Sequence, residues 1–338
     1  MTVDGIDAAR VTAWLAANVG GVEPPLGFQR ISGGQSNLTF EVTDAGGRRL
    51  VLRRPPLSHV LASAHDMSRE HRIIAALMPT PVPVPEVLAI CEDGSVNGRP
   101  FYVMRFVEGA VLRTAADVER VLDEGARRRA GEHLVDVLVA LHAVDVDAVG
   151  LGDLARREGY VQRQLKRWHG QFLQSQAQEV EACVHRPVPI VEEVHELLAA
   201  RVPAQQGVVV AHGDYRLDNT VVGPDGAIRA VLDWELCTLG DPLADLGTLL
   251  MYWSGAAGLP GFPTRAELAE RYAARSGRDV AELGYYVAFA NWRLACILEG
   301  VYVRHAAGAM GPDRSRAEAI AEQVGRRAEE AMRALGQG

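Results

Sequence analysis

The sequence lacks the features that would mark a secreted, membrane-spanning or nucleic-acid-binding chain. Its four cysteines, Cys91, Cys183, Cys237 and Cys296, are scattered over 338 residues with no C-x-x-C pair. That spacing excludes a disulfide frame and a zinc ribbon, and predicts reduced thiols. There is no basic excess either. The 35 Lys and Arg against 43 Asp and Glu leave a net charge of −8, no footprint for nucleic acid or anionic lipid. Asp4 and Asp7 stand where a signal peptide would be basic, and no apolar core follows them. The longest apolar stretch, Leu283 to Val303, is interrupted by Asn291, Arg293 and Glu299, which predicts a buried helix rather than a membrane span. Together these absences predict a cytoplasmic protein with no nucleic-acid or membrane partner.

What is present is an ordinary globular composition, 48% hydrophobic and 23% charged, in a chain long enough for one two-lobed domain or two smaller ones. A helix is expected over Asp7–Asn18. Strand patterns follow at Gly27–Ile31, Leu38–Val42 and Leu50–Arg53, then a helix over His65–Met78 ended by Pro79. Strands at Val87–Cys91 and Pro100–Phe106 complete a five-strand set with one inserted helix. From about Ala115 helical periodicity dominates, interrupted by a short β segment from Val208 to Ile228. This order predicts an α+β architecture: a small antiparallel β lobe over 1–108, and a larger, mainly helical lobe over 109–338.

The chemistry concentrates in that interruption. An apolar run, Val208-Val209-Val210-Ala211, delivers the chain into His212-Gly213-Asp214, and Asn219 follows five residues after Asp214. Phosphoryl transfer to an alcohol needs a carboxylate near the attacking hydroxyl and an oxygen ligand for Mg²⁺, and one loop offers both. A second apolar run, Ala230-Val231-Leu232, ends at Asp233-Trp234-Glu235, with a hairpin turn at Gly223-Pro224-Asp225-Gly226 between. If the two runs are adjacent strands, Asp214 and Asp233 emerge from neighbouring ends. Mg²⁺ takes few protein oxygens, so Asn219 and Asp233 suffice as ligands.

At these residues, HGDYRLDN and VLDWELCTLGDPLADL, the chain resembles the aminoglycoside phosphotransferase-like family, relatives of the eukaryotic protein kinases. More narrowly it is similar to the phosphotransferase domain fused to certain acyl-CoA dehydrogenases. The resemblance covers nearly the whole chain. It implies a bilobal protein-kinase-like fold, ATP and Mg²⁺ as cofactors, Asp214 as base, and Asn219 and Asp233 as metal ligands. Asp241 and Asp245 are expected to brace the catalytic loop or start a helix, and His212 to brace rather than act as base.

The first lobe carries its own indications. Leu50-Val51-Leu52-Arg53-Arg54 offers arginine where protein kinases hold phosphates with a strand lysine. Arg53 is the choice implied by the resemblance, though either arginine could face inward. On the next helix Met67, Glu70, Ile73, Ile74 and Leu77 fall on one stripe. A carboxylate on a buried stripe is costly unless paired, and Arg53 would supply the cation. The loop Ser32-Gly33-Gly34-Gln35-Ser36-Asn37 is positioned to cradle phosphates, with Ser36 a candidate contact. Tyr102 to Gly109, with Met104 and Phe106, corresponds to a hinge that meets adenine through backbone groups.

The acceptor side is less determined. Phe289, Trp292, Arg293 and Cys296 share a helical face expected to pack in the core, while Arg293 or Arg304 is a candidate contact for an anionic substrate. The reading is a small-molecule kinase acting on a hydroxyl. The closer resemblance implies a hydroxy acid or hydroxyacyl-CoA; an aminoglycoside-type antibiotic kinase and a non-catalytic nucleotide-binding pseudokinase are the alternatives. A metal-dependent hydrolase would need further ligands that the ten scattered histidines do not supply.

Overall fold

A computed structural model describes residues 3–31, 37–57, 66–177, 186–256, 258–308 and 315–336. The chain divides into two compact units, one of residues 1–133, 147–151 and 218–237, the other of 134–146, 152–217 and 238–338.

The first unit opens with helix α1 (Ala8–Asn18), started by Asp7, whose carboxylate accepts from the Arg10 N–H at 3.1 Å. Five strands follow: β1 (Gly27–Arg30), β2 (Leu38–Thr43), β3 (Arg49–Arg54), β4 (Val87–Cys91) and β5 (Phe101–Arg105). They form one antiparallel sheet in the order β1-β2-β3-β5-β4. Helix α2 (Met67–Leu77) is inserted between β3 and β4, as expected, and a one-turn helix α3 (Gly94–Asn97) between β4 and β5. β5 lies inside the sheet, between β3 and β4.

Alternation decides which side chains meet. Leu38, Phe40 and Val42 of β2 and Leu50 and Leu52 of β3 join Val11 and Leu15 of α1 in one core. Arg53 falls in the opposite phase, so the two neighbouring arginines leave opposite faces of β3. Arg54 is buried on the α1 side, donating to the carbonyls of Gly5 and Asn97. The rest of this unit contains α4 (Ala115–Val121) and the start of α5 (Glu124–His142).

The second unit takes the end of α5, then α6 (Tyr160–Gln176) and α7 (Pro189–Ala200). Strand β6 (Val209–Ala211) leads into the His212–Asp214 loop. The hairpin of β7 (Thr220–Val222) and β8 (Ile228–Val231) belongs to the first unit, and β9 (Thr238–Gly240) returns to the second. The two apolar runs are therefore not neighbours in one sheet. β6 pairs with β9, and β8 with β7, because the Gly223–Gly226 turn folds the second run back on the residues that precede it. Gly226 sits at φ +83°, and a Cβ there would lie 2.2 Å from the Ala126 carbonyl oxygen, so only glycine fits.

Helices α8 (Pro242–Ala256), α9 (Arg265–Ser276), α10 (Leu283–Ala306) and α11 (Ser315–Gly336) complete the chain. α10 is the longest apolar stretch of the sequence. Its Tyr286, Phe289, Trp292 and Cys296 are buried. Among the described residues no helix is long and apolar enough to cross a membrane. Cys91, Cys237 and Cys296 are free thiols.

Candidate functional site

In the first unit the site is built around one guanidinium. Arg53 donates from Nε to Glu70 Oε2 at 3.0 Å and from Nη2 to Glu70 Oε1 at 3.1 Å, a two-pronged pairing that fits the planar fork. The same Nη2 reaches Asp233 Oδ1 at 2.5 Å. Glu70 is only 2% exposed, and the Tyr102 hydroxyl donates to its Oε2 at 3.0 Å. Burial pushes the Glu70 carboxyl up, with Arg53 drawing it partly back. Burial also works against the charge of Arg53, but Glu70, Tyr102 and Asp233 outweigh it and raise its pKa above the usual value. The glutamate on the apolar stripe of α2 thus lies against the arginine that the strand phase aims at it.

Asp233 and Asn219 are brought close by the β7–β8 hairpin. Leu232 donates its N–H to the Asn219 carbonyl at 2.8 Å, directly beyond the Thr220–Val231 pair, so the two residues leave the hairpin's open end one position apart. Asp233 has φ +64°, the one non-glycine residue at positive φ among the described residues. A left-handed aspartate is a strained conformation held by its surroundings. Trp234, buried just after it, donates Nε1–H to the Val231 carbonyl at 3.1 Å and pins the turn.

Glu235 is a residue to which the sequence reading gave no role. Its carboxylate, with those of Glu70 and Asp233, forms a group whose oxygens lie within 4.8 Å of one another, and Asn37 Nδ2 donates to Glu235 at 3.2 Å. The signal available was the D-x-E spacing, which a turn returns to one side. This hard-oxygen set, gathered around a single arginine, fits Mg²⁺ in donor chemistry. Ser36 lies outside the described residues. Met104 is buried in β5 opposite Val51, and the ring of Phe106 lies 3.4 Å under the Arg49 guanidinium.

In the second unit the loop after β6 is braced from behind. Asp245, in the first turn of α8, accepts the His212 N–H at 2.6 Å and the Gly213 N–H at 2.8 Å. His142 Nε2 lies 3.4 Å from the same carboxylate and its Nδ1 2.8 Å from the Tyr272 hydroxyl. Burial alone would raise the Asp245 carboxyl; the hydrogen bond and charge of His142, the charge of His212 and the Gly213 N–H outweigh it and hold it below the usual range. Asp241 accepts from Leu243 N, Gln206 N and the Tyr286 hydroxyl. Both aspartates are therefore braces and helix starters. His212 also braces: its Nδ1 accepts the Asp214 N–H at 3.2 Å.

Arg293 packs inside, as its helical face predicts. It is 7% exposed and turned inward, donating Nη2–H to the Gly213 carbonyl at 2.5 Å and reaching Thr248 Oγ1 at 3.4 Å. Arg304 is exposed on the last turns of the same helix. The cation beside Asp214 is instead Arg216, two residues on, with Nε 3.5 Å from Asp214 Oδ2 and its guanidinium 4.5 Å over the Tyr252 ring. Burial raises the Tyr252 hydroxyl, Asp214 adds to it, and Arg216, Arg293 and Arg327 oppose. Arg216 is thus the cation against the ring next to Asp214.

Three comparisons bear on this arrangement. Acyl-CoA dehydrogenase family member 10 of Mus musculus is 34% identical over 299 residues, covering 84% of this chain and 27% of that protein, so the chain spans about a quarter of that relative's length. A crystal structure of an aminoglycoside phosphotransferase-like protein from Ralstonia eutropha superposes with a TM-score of 0.81 at 32% identity, covering 98% of each chain. A thermostable mutant of aminoglycoside phosphotransferase APH(4)-Ia, in ternary complex with AMP-PNP and hygromycin B, shares the fold at a TM-score of 0.63 and 18% identity, covering 96% of this chain and 98% of that one. The family model described as "Phosphotransferase enzyme family" matches residues 27–286. That match runs from the first strand of the sheet into α10, and the chain belongs to the phosphotransferase enzyme family.

Proposed function

We propose that this protein transfers the γ-phosphoryl group of ATP to the hydroxyl of a small molecule, a hydroxy acid or hydroxyacyl-CoA, with Mg²⁺ as the metal. The observation that carries the reading is the Arg53–Glu70–Asp233 network: a buried cation held by a helix glutamate and aimed at a carboxylate suited to a metal. As a functional division, residues 1–108 serve the nucleotide and residues 109–338 carry the catalytic and acceptor residues.

Asp214 Oδ accepts the proton of the attacking hydroxyl and orients its oxygen. Asn219 and Asp233 hold the metal, which when bound neutralises the phosphate oxygens and lowers the charge barrier to transfer. Glu70, kept in place by the Tyr102 hydroxyl, orients Arg53 toward the phosphates. Met104 and Phe106 mark the strand end expected to meet the adenine, and Ser36 the loop expected over the phosphates. Arg216, beside Asp214, would offset the negative charge of an anionic acceptor.

Two observations support the acceptor class. Arg216, its guanidinium over the Tyr252 ring beside Asp214, is a cation that favours a carboxylate or the phosphate-bearing carrier of a CoA thioester over a polycationic aminoglycoside. The mouse relative also bears the name of an acyl-CoA dehydrogenase. Calorimetry with Mg·ATP, followed by ADP release on a panel of hydroxy acids, hydroxyacyl-CoAs and aminosugars, tests the reading. Turnover on the anionic alcohols, abolished in Asp214→Asn, is expected. ATP binding without turnover on any alcohol would make the chain a pseudokinase, and turnover confined to aminosugars would replace the acceptor assignment.

A further inference from the structure

Away from the phosphotransfer residues, on the second unit, α6 and α7 bring three metal-ligand side chains together. His169 comes from α6, and Glu192 and His195 stand one turn apart on α7. One ligand atom from each lies within 4.8 Å of the other two. His169 Nε2 is 2.6 Å from Glu192 Oε2, a short hydrogen bond. The His169 and His195 rings stack, with centroids 3.8 Å apart and planes 15° from parallel, and His195 in turn stacks on Trp292 at 5.5 Å.

This cluster is not core packing. His169 and Glu192 are 23% and 39% exposed, so an ion has access from solvent. The support behind it is rigid. Trp292 is buried in α10, and its Nε1–H donates to the Val191 carbonyl at 3.0 Å, fixing the first turn of α7 that carries Glu192. Among the described residues no protein group is hydrogen-bonded to either ring nitrogen of His195.

We propose that His169, Glu192 and His195 form a binding site for a borderline transition-metal ion of the Zn²⁺ class, one that ties α6 to α7. Two imidazoles and one carboxylate are a three-ligand set that leaves a position for water or a further donor, and nitrogen donors select Zn²⁺ over Mg²⁺. The ion takes the place of the proton between His169 and Glu192. Binding requires the His195 ring to shift out of its stack on His169 so that both imidazoles offer a nitrogen to the ion. The site is separate from the proposed Mg²⁺ group of the first unit, whose donors are all oxygen.

The test is a Zn²⁺ titration of the metal-stripped full chain against a chromophoric chelator, in excess Mg²⁺, with thermal unfolding followed in parallel. One equivalent is expected to bind and to raise Tm. Each of His169→Ala, His195→Ala and Glu192→Gln should weaken that binding at least about ten-fold and remove the Tm shift. The three side chains are partly exposed, and circular dichroism of each variant verifies that it folds. The same titration in Asp233→Asn separates the two sites: tight binding that persists there supports the proposal. Equal Zn²⁺ affinity in wild type and the three cluster variants, or loss of it only in Asp233→Asn, overturns it.

Discussion

Arg53 meets two carboxylates at once, and the consequences of removing it differ from those of removing a surface charge. Its loss leaves Glu70 buried without a cation, a situation that costs about 3–5 kcal/mol. Arg53→Met should therefore lower unfolding free energy by that order in urea denaturation, whereas Arg53→Lys, which keeps the charge but not the fork, should lose less. The arginine itself needs no special explanation: Lys166 is the single lysine among the 35 basic residues of the chain. Asp214 behaves differently. It is partly exposed and pairs with Arg216, so Asp214→Asn should leave stability nearly unchanged while kcat falls by about 10²–10⁴, measured as ADP release.

At the level of elements, the loop from His212 to Asp214 is held by two helices that the sequence separates from it by tens of residues. Asp245 at the start of α8 takes its N–H groups, and Arg293 from the middle of α10 takes the Gly213 carbonyl. Arg293→Ala leaves that buried carbonyl without its donor, a loss of about 1–3 kcal/mol, and frees the peptide that carries Asp214. A drop in kcat of about 10–100-fold with unchanged nucleotide affinity is expected, partly restored in Arg293→Lys. Separate kcat and Kd measurements make the distinction, because a merely structural loss would reduce the active fraction and leave the kcat of the folded protein alone. The β7–β8 hairpin is the second such device. It converts a spacing of fourteen residues between Asn219 and Asp233 into adjacency, and it depends on Gly226. Gly226→Ala should unfold at visibly lower denaturant concentration.

For the whole molecule, the depressed Asp245 carboxyl makes stability depend on acid. Its pKa in the folded chain lies below the unfolded value of about 3.9, so its contribution is fully present above that value and is lost as pH falls through the folded pKa. The difference in unfolding free energy between wild type and Asp245→Asn, about 1.5–3 kcal/mol for charged hydrogen bonds, should hold from pH 7 to about pH 5 and shrink below pH 4. The same scale governs acceptor choice. In a chain of net charge −8, the Arg216 guanidinium over Tyr252 sets a positive group beside Asp214.

Much of the donor side was legible because its rules are local. Period-two alternation put Arg53 and Arg54 on opposite faces of β3, and period-3.6 spacing put Glu70 on the buried stripe of α2; Gly223 to Gly226 announced the hairpin by turn chemistry alone. Strand pairing was not local. That β6 joins β9 while β8 joins β7, that Arg293 finds the Gly213 carbonyl, and that Glu235 joins Glu70 and Asp233 all depend on contacts between residues far apart in sequence. Side-chain periodicity and turn residues are written along the chain. Which buried polar group satisfies which partner is decided only when distant segments close together and each desolvated donor must find an acceptor. Asp233, held at φ +64° by the residues around it, is a conformation that no reading of its neighbours in sequence could have supplied.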